Sequence, residues 1–238
     1  MLLTAETIER ELKSVADYTR AEILQGFFKT GPGEYAEGDV FLGIYVPTQR
    51  RLVKTYRAIP LTEIQKMLNS PIHEMRFCGL QILALNYRKG DDKTKLSIFK
   101  MAVKNIRRMN NWDLVDITAP NIIGFHLYTR DRSLLYKWAK SKNLWEKRGA
   151  MVSTLYFIRK GDYVDTLKLA DILMSDKHDL IHKVVGWMLR EVGKKSFMTT
   201  KKYLDKNFRK MSRTTLRYAI EKFPEVLRQN YLKGGNII

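Results

Sequence analysis

"SPIHEMRFCGLQILALNYRKGD" (residues 70–91) and "SKNLWEKRGAMVSTLYFIRKGD" (residues 141–162) are the two stretches whose comparison decides the fold. Each opens on a serine, carries an arginine followed by small and apolar residues, and closes on an identical RKGD. Apolar residues recur at three- and four-residue spacing within them and along most of the chain, while strand-like alternation is hard to find, so the chain reads as nearly all helix. Arg76 and Arg148 lie 72 residues apart. Stepping by half that interval from Arg76 reaches Trp112, Arg148 and Val184, each near the start of a separate apolar segment. A period of about 36 fits a two-helix repeat unit.

A lone helix pair cannot bury its apolar faces, and stacked pairs share one continuous core, so units of this length are expected to form an all-α curved solenoid with a concave surface. Gly, Pro, Asp and Ser gather at 30–39, 58–61, 69–71, 89–92, 127–132, 141–143, 160–163, 175–179 and 193–196, which predicts about a dozen short helices between them. The one long irregular stretch, "KTGPGEYAEGDVFLGIYVP" (29–47), ends at a helix start with Pro47 near its first turn. No linker divides the chain, which is taken as a single domain over 1–238.

Composition limits the partners. The 238 residues carry 43 Lys and Arg against 25 Asp and Glu, a formal charge of +18, with 45% hydrophobic residues to build a core. Such a charge repels itself unless something anionic is near. Nucleic acid fits better than a membrane surface, because the charge is spread along the chain and no basic amphipathic anchor or polybasic tail concentrates it. The lone Cys78 excludes an internal disulfide and a cysteine-based zinc cluster. With no signal-peptide pattern and no apolar run of membrane-spanning length, a cytosolic location is expected.

Two helices carry residues that a core pattern does not explain. In "DLIHKVVGWMLREVGK" (179–194), Ile181, Val184, Val185, Met188, Leu189 and Val192 form one stripe, and Lys183, Trp187, Arg190 and Lys194 fall on the opposite side. Most tryptophans at helical spacing are core. A tryptophan among three cations on the solvent side instead suits a nucleic-acid surface, with cations on phosphates and a flat ring on sugar or base.

In "RMNNWDLVDITAP" (108–120), Leu114, Val115, Ala119 and Ile122 mark the core side of the helix and its continuation, while Trp112 and Asp116 share another face one turn apart. Asp113 points elsewhere. With Asn111 or Asn110 as cap, it suits the positive end of the helix. Asp116 has two readings: an ion pair with a neighbouring Arg or Lys, or a carboxylate aimed at positive charge that develops on a substrate, as on a sugar losing its glycosidic bond. Arg148, like Arg76 in its own repeat, reads either as an inter-repeat ion-pair residue or as a phosphate contact.

Other chemistries lack support. The histidines 73, 126, 178 and 182 show no metal-binding spacing, since His178 and His182 stand four apart without the surrounding HExxH. No phosphate-cradling Gly loop and no Ser or Cys nucleophile with its base is visible. No metal and no cofactor is expected.

The repeat, "NWDLVD" (111–116), "LWEKRGAM" (144–151), "HKVVGWMLREVGK" (182–194) and "VFLGIYVPTQRRLVK" (40–54), in that combination, resemble the AlkD-like DNA alkylation repair glycosylases over about residues 20–230. That resemblance implies an all-α, HEAT-like solenoid whose basic concave face holds duplex DNA, and hydrolysis of the N-glycosidic bond of cationic alkylated purines, 3-methyladenine and 7-methylguanine, without lyase activity. By motif match, Asp116 takes the role of stabilising the oxocarbenium-like sugar and positioning water, and Trp112 and Trp187 pack on the lesion's sugar and backbone. Arg148 and Arg190 carry over as DNA contacts. Lys183 and Lys194, with Lys147 and Arg50 from the quoted motifs, are counted beside them. The resemblance further implies a monomer acting on alkylated double-stranded DNA, cytoplasmic and, in a bacterium, at the nucleoid.

Two departures stand out. The family motif often has a tryptophan where this chain has Asn111, which narrows the expected substrate range or weakens the grip. Tyr35, in the Gly-rich stretch, is the candidate for a tyrosine that other members carry on a plainer helix. The competing class is a non-catalytic module binding damaged or branched DNA, against which the retention of Asp116, Trp112 and Trp187 argues.

Overall fold

The computed structural model describes residues 3–234. The chain groups into two compact units, one ending at Ile123 and the other starting at Gly124. Both are helical. No strand is present among the described residues, only an isolated parallel bridge between Val40 and Ile72. No helix among them is long and apolar enough to cross a membrane.

The first unit comprises α1 (Ala5–Ser14), α2 (Tyr18–Phe27), α3 (Val46–Thr55), α4 (Leu61–Asn69), α5 (His73–Lys89), α6 (Asp92–Lys104) and α7 (Trp112–Thr118). Helices α1, α3, α4, α6 and α7 all pack on α5. Twelve of the 17 residues of α5 are buried, so it has no polar face, and its sequence shows helical spacing without a clean amphipathic stripe. Asp17 and Asp91 stop the preceding chain and cap α2 and α6, accepting hydrogen bonds from the N–H groups of Arg20 and Thr94. Pro47 sits in the first turn of α3 as expected.

The second unit comprises α8 (Phe125–Leu127), α9 (Ser133–Ala139), α10 (Leu144–Arg159), α11 (Val164–Leu173), α12 (Asp179–Lys195), α13 (Phe197–Asn207), α14 (Arg213–Ala219) and α15 (Glu225–Lys233). Here α10 and α12 are the shared helices: α10 contacts α8, α9, α11 and α12, and α12 contacts α11, α13 and α14. Gly186 lets α12 and α14 close together, since a Cβ there would lie 2.5 Å from the Thr215 carbonyl oxygen.

The 36-residue stepping is structural. Arg76, Trp112, Arg148 and Val184 fall on α5, α7, α10 and α12, four different helices, and the two quoted repeats coincide with α5 and α10. The expected break at 193–196 comes late, because α12 runs to Lys195 and only Ser196 leaves the helix. Gly193 is a packing position there: the Thr200 hydroxyl lies 3.4 Å from where its Cβ would be.

Candidate functional site

Three side chains, Asn110, Asn111 and Asp113, anchor the start of α7. Asn110 donates to Asp39 Oδ1 at 2.7 Å. Asn111 caps the helix by accepting from the Trp112 N–H at 2.9 Å and donates to the Phe28 carbonyl at 3.0 Å. Asp113 accepts from the Leu114 N–H at 2.9 Å, the helix-start role expected of it, and its other oxygen lies 2.8 Å from His73 Nε2. Asn111 is fully buried. Its side chain is part of the scaffold and is not itself presented to a ligand.

Leu114, Val115, Ala119 and Ile122 are buried as the wheel requires, which leaves Trp112 and Asp116 half-buried on the other side. The Trp112 ring stacks on Phe28 with centroids 5.2 Å apart and planes 21° from parallel. Phe28 stacks in turn on Phe41 at 5.0 Å, and Phe41 on His73 at 4.4 Å. Phe27 meets Trp112 edge-on at 6.0 Å and is 62% exposed. Sequence reasoning missed Phe27 and Phe28. The signal was the FF pair at the end of α2, where Ala21 is the one buried residue of the helix.

Past Asp116, α7 runs into a π-helical stretch, Ala119–Gly124, that contains Pro120. Proline has no N–H to give the helix ladder, and a widened turn is one way to accommodate it. Asn121 Nδ2 donates to the Ile117 carbonyl at 2.8 Å, satisfying an acceptor beside that proline.

Behind the aromatic stack lies a buried charge cluster. Arg76 pairs with Asp39 at 2.5 Å and donates to the Ser70 carbonyl at 2.8 Å, so the ion-pair reading of Arg76 is the one realised. His73 Nδ1 lies 3.5 Å from Asp39. Burial alone would push the His73 imidazolium to lower pKa, but the Asp113 charge and hydrogen bond, together with Asp39, outweigh burial and the opposing Arg76 and raise it to about 9. Glu74, almost fully buried, accepts from the N–H groups of Leu42, Gly43 and Ile44. The Gly-rich stretch is thus pinned to α5 at Asp39 and at 42–44.

In the second unit the stripe of α12 is buried as expected, and Trp187 is half-buried, whereas Trp138 and Trp145 are core. The cations beside Trp187 carry partners that the wheel did not reveal. Lys183 pairs with Asp179 at 2.7 Å, Lys194 with Glu191 at 2.7 Å, and Arg190 with Glu221. Trp187 Nε1 donates to Glu191 at 3.1 Å. Lys147 pairs with Asp176. Arg148 is buried and donates to the Leu180 carbonyl at 3.1 Å. Arg50, in the first unit, is exposed and lines a groove with Lys54, Gln81, Leu85, Arg88 and Ile117.

Repeated helix pairs, a helix start that holds a half-exposed tryptophan and a carboxylate one turn apart, and a charge of +18 define a basic helical-repeat protein with an aromatic and acidic face. The family model of the DNA alkylation repair enzymes matches residues 8–223. The chain belongs to that family, and its role is in the repair of alkylated DNA. A solved structure described as a predicted DNA alkylation repair enzyme from Enterococcus faecalis is similar in fold, with a TM-score of 0.68 at 15% identity, covering 88% of this chain and 97% of that one. Among curated proteins there is no match.

Proposed function

We propose that the protein is a monofunctional DNA glycosylase that hydrolyses the N-glycosidic bond of cationic alkylated purines, 3-methyladenine and 7-methylguanine, in duplex DNA. The observation that carries this reading is the pairing on α7 of a half-exposed indole, backed by an aromatic stack, with a carboxylate one turn away. Alkylation at N3 or N7 puts a positive charge on the base. Cleavage of the C1′–N bond returns the electron pair to the base, which leaves neutral, and shifts positive charge to the sugar. A fixed carboxylate stabilises that charge, and water adding at C1′ gives the abasic sugar and releases a proton. Because the leaving group is already activated, the protein has only a modest barrier to lower.

Trp112 offers its face to the sugar and the cationic lesion, where a π face is favourable to positive charge. Asp116 is the carboxylate that opposes the oxocarbenium-like sugar and orders water. Trp187 serves as a second aromatic contact. The phosphate contacts fall most directly to Arg50, Lys183 and Lys194, which face solvent, and to Arg190, whose Glu221 partner a phosphate would displace. Lys147 and Arg148 reach a phosphate only by exchanging the contacts they now make. The protein acts as a monomer and needs no metal or cofactor.

The test is release of free base from methylated duplex DNA, read by chromatography. Wild type is expected to release 3-methyladenine and 7-methylguanine and Asp116→Asn to release neither at a comparable rate. No release by wild type, with duplex binding intact, would move the assignment to a non-catalytic damaged-DNA binding module. Unimpaired release by Asp116→Asn would sink the role of that carboxylate. Affinity should fall steeply with salt, roughly in proportion to the number of phosphates neutralised.

A further inference from the structure

Two of the three anchors at the start of α7 lead to one group, His73: Asp113 directly, and Asn110 through Asp39. His73 lies at the base of the stack that ends in Trp112, with Phe41 and then Phe28 between them. Its ring is almost fully buried. The charged groups facing it are Asp113 on α7, Asp39 on the irregular segment and Arg76 on its own helix. Glu74, the other charge beside it in sequence, is turned to the backbone of 42–44. Asp39 in turn holds Asn110, and the Phe28 carbonyl holds Asn111.

We propose that His73 is the positioning residue of this site: bridging Asp39 and Asp113, it holds the first turn of α7 against the irregular segment and so sets where the Trp112 ring and the Asp116 carboxylate stand. The catalytic half of this inference rests on the glycosylase reading above. The positioning half does not.

Two carboxylates facing one imidazole make the arrangement depend on its charge. With a proton on each nitrogen, His73 offers a donor to Asp113 at 2.8 Å and a positive charge to Asp39 at 3.5 Å. Without the second proton, one of the buried carboxylates faces a lone pair, and the pair that remains is the weaker, uncharged kind. The imidazolium persists at neutral pH because those carboxylates raise its pKa to about 9. Loss of that proton to solvent is the event expected to free the first turn of α7.

The experiment uses the full chain labelled with 13C-histidine and 5-fluorotryptophan, followed by NMR from pH 6 to pH 10.5. His73 is identified among the four histidines by His73→Gln, and Trp112 among the four tryptophans by Trp112→Phe. The His73 ring is expected to titrate near pH 9, and the Trp112 fluorine resonance to move with the same midpoint while those of Trp138 and Trp145 stay put. Asp113→Asn keeps the size of the side chain and its cap to Leu114 while removing the charge, and should lower both midpoints together by about one pH unit or more. A Trp112 resonance that ignores the His73 midpoint, or midpoints unmoved by Asp113→Asn, overturns the proposal.

Single-turnover base release from methylated duplex DNA completes the test. Wild type should be nearly flat between pH 6 and 8.5, whereas Asp113→Asn should lose roughly fourfold or more over that interval and recover on return to pH 6. Equal, pH-independent rates for the two proteins overturn the positioning role. If wild type releases no base but the two resonances still titrate together, the glycosylase reading fails and the positioning of Trp112 by His73 stands.

Discussion

Replacing Glu74 separates its hydrogen bonding from its charge, because its two oxygens do unequal work. Oε1 accepts from Leu42 at 3.1 Å, Gly43 at 2.9 Å and Ile44 at 3.3 Å, whereas Oε2 accepts only from Leu42, at 3.0 Å. Gly43 is itself tightly constrained: its φ is 76°, and a Cβ would lie 2.0 Å from the Asp17 carbonyl oxygen. The segment therefore has little freedom to find other acceptors. Glu74→Ala leaves three buried N–H groups without partners, at roughly 1–3 kcal/mol each, so a loss of roughly 3–9 kcal/mol follows. Against a typical total of about 5–15 kcal/mol that is a large fraction. Glu74→Gln can keep its carbonyl at the Oε1 position and serve all three donors, so it should cost only about 1–2 kcal/mol, the loss of charge assistance. Urea denaturation of the three proteins at pH 7, followed by circular dichroism, measures both numbers. A loss below about 1 kcal/mol for Glu74→Ala, or an equal loss for the two variants, would refute the reasoning that this carboxylate holds the segment by backbone hydrogen bonds.

Stability should also report on His73 directly. Its pKa is raised in the folded chain from an ordinary 6.5 to about 9, so its contribution is fully present below pH 6.5 and is lost as pH rises through 9. That contribution is roughly 3 kcal/mol, and urea midpoints of wild type should fall towards those of His73→Gln by pH 10; a constant gap between the two from pH 6 to 10 contradicts it. Gly186→Ala should cost about 1–3 kcal/mol, because its Cβ would meet Thr215 and Tyr218 at 2.5 Å. By contrast Gly26→Ala, with nothing within 4 Å in helix α2, should stabilise by about 0.5–1 kcal/mol, and thermal melts giving both the same sign would count against this packing account. Glu221→Gln releases Arg190 from its carboxylate partner and should tighten binding to duplex DNA by about two- to fivefold, measured by fluorescence anisotropy at fixed salt; unchanged affinity would remove Arg190 from the phosphate contacts.

The sequence by itself determined the helical class, the repeat and the faces of α7 and α12. Those properties follow from periodicity: Leu114, Val115, Val184 and Met188 had to be buried because a helix turns by a constant angle and has one apolar side. It also set Trp112 and Trp187 off the apolar stripes of their helices, and both are half-buried, whereas the burial of Trp138 and Trp145 was seen only in the structure. Only the tertiary structure decided what stands behind and beside those residues. The partnership of Asp113 with His73 spans 40 positions, and that of Asn110 with Asp39 spans 71, so no local pattern encodes either. Lys183 with Asp179 and Lys194 with Glu191 are local pairs on α12 itself, but the same holds for Arg190, to which Glu221 is brought by the close approach of helices that Gly186 permits. Local periodicity fixes which side of a helix is wet. Which charged group meets which across the core depends on how the chain returns, and that is settled by packing.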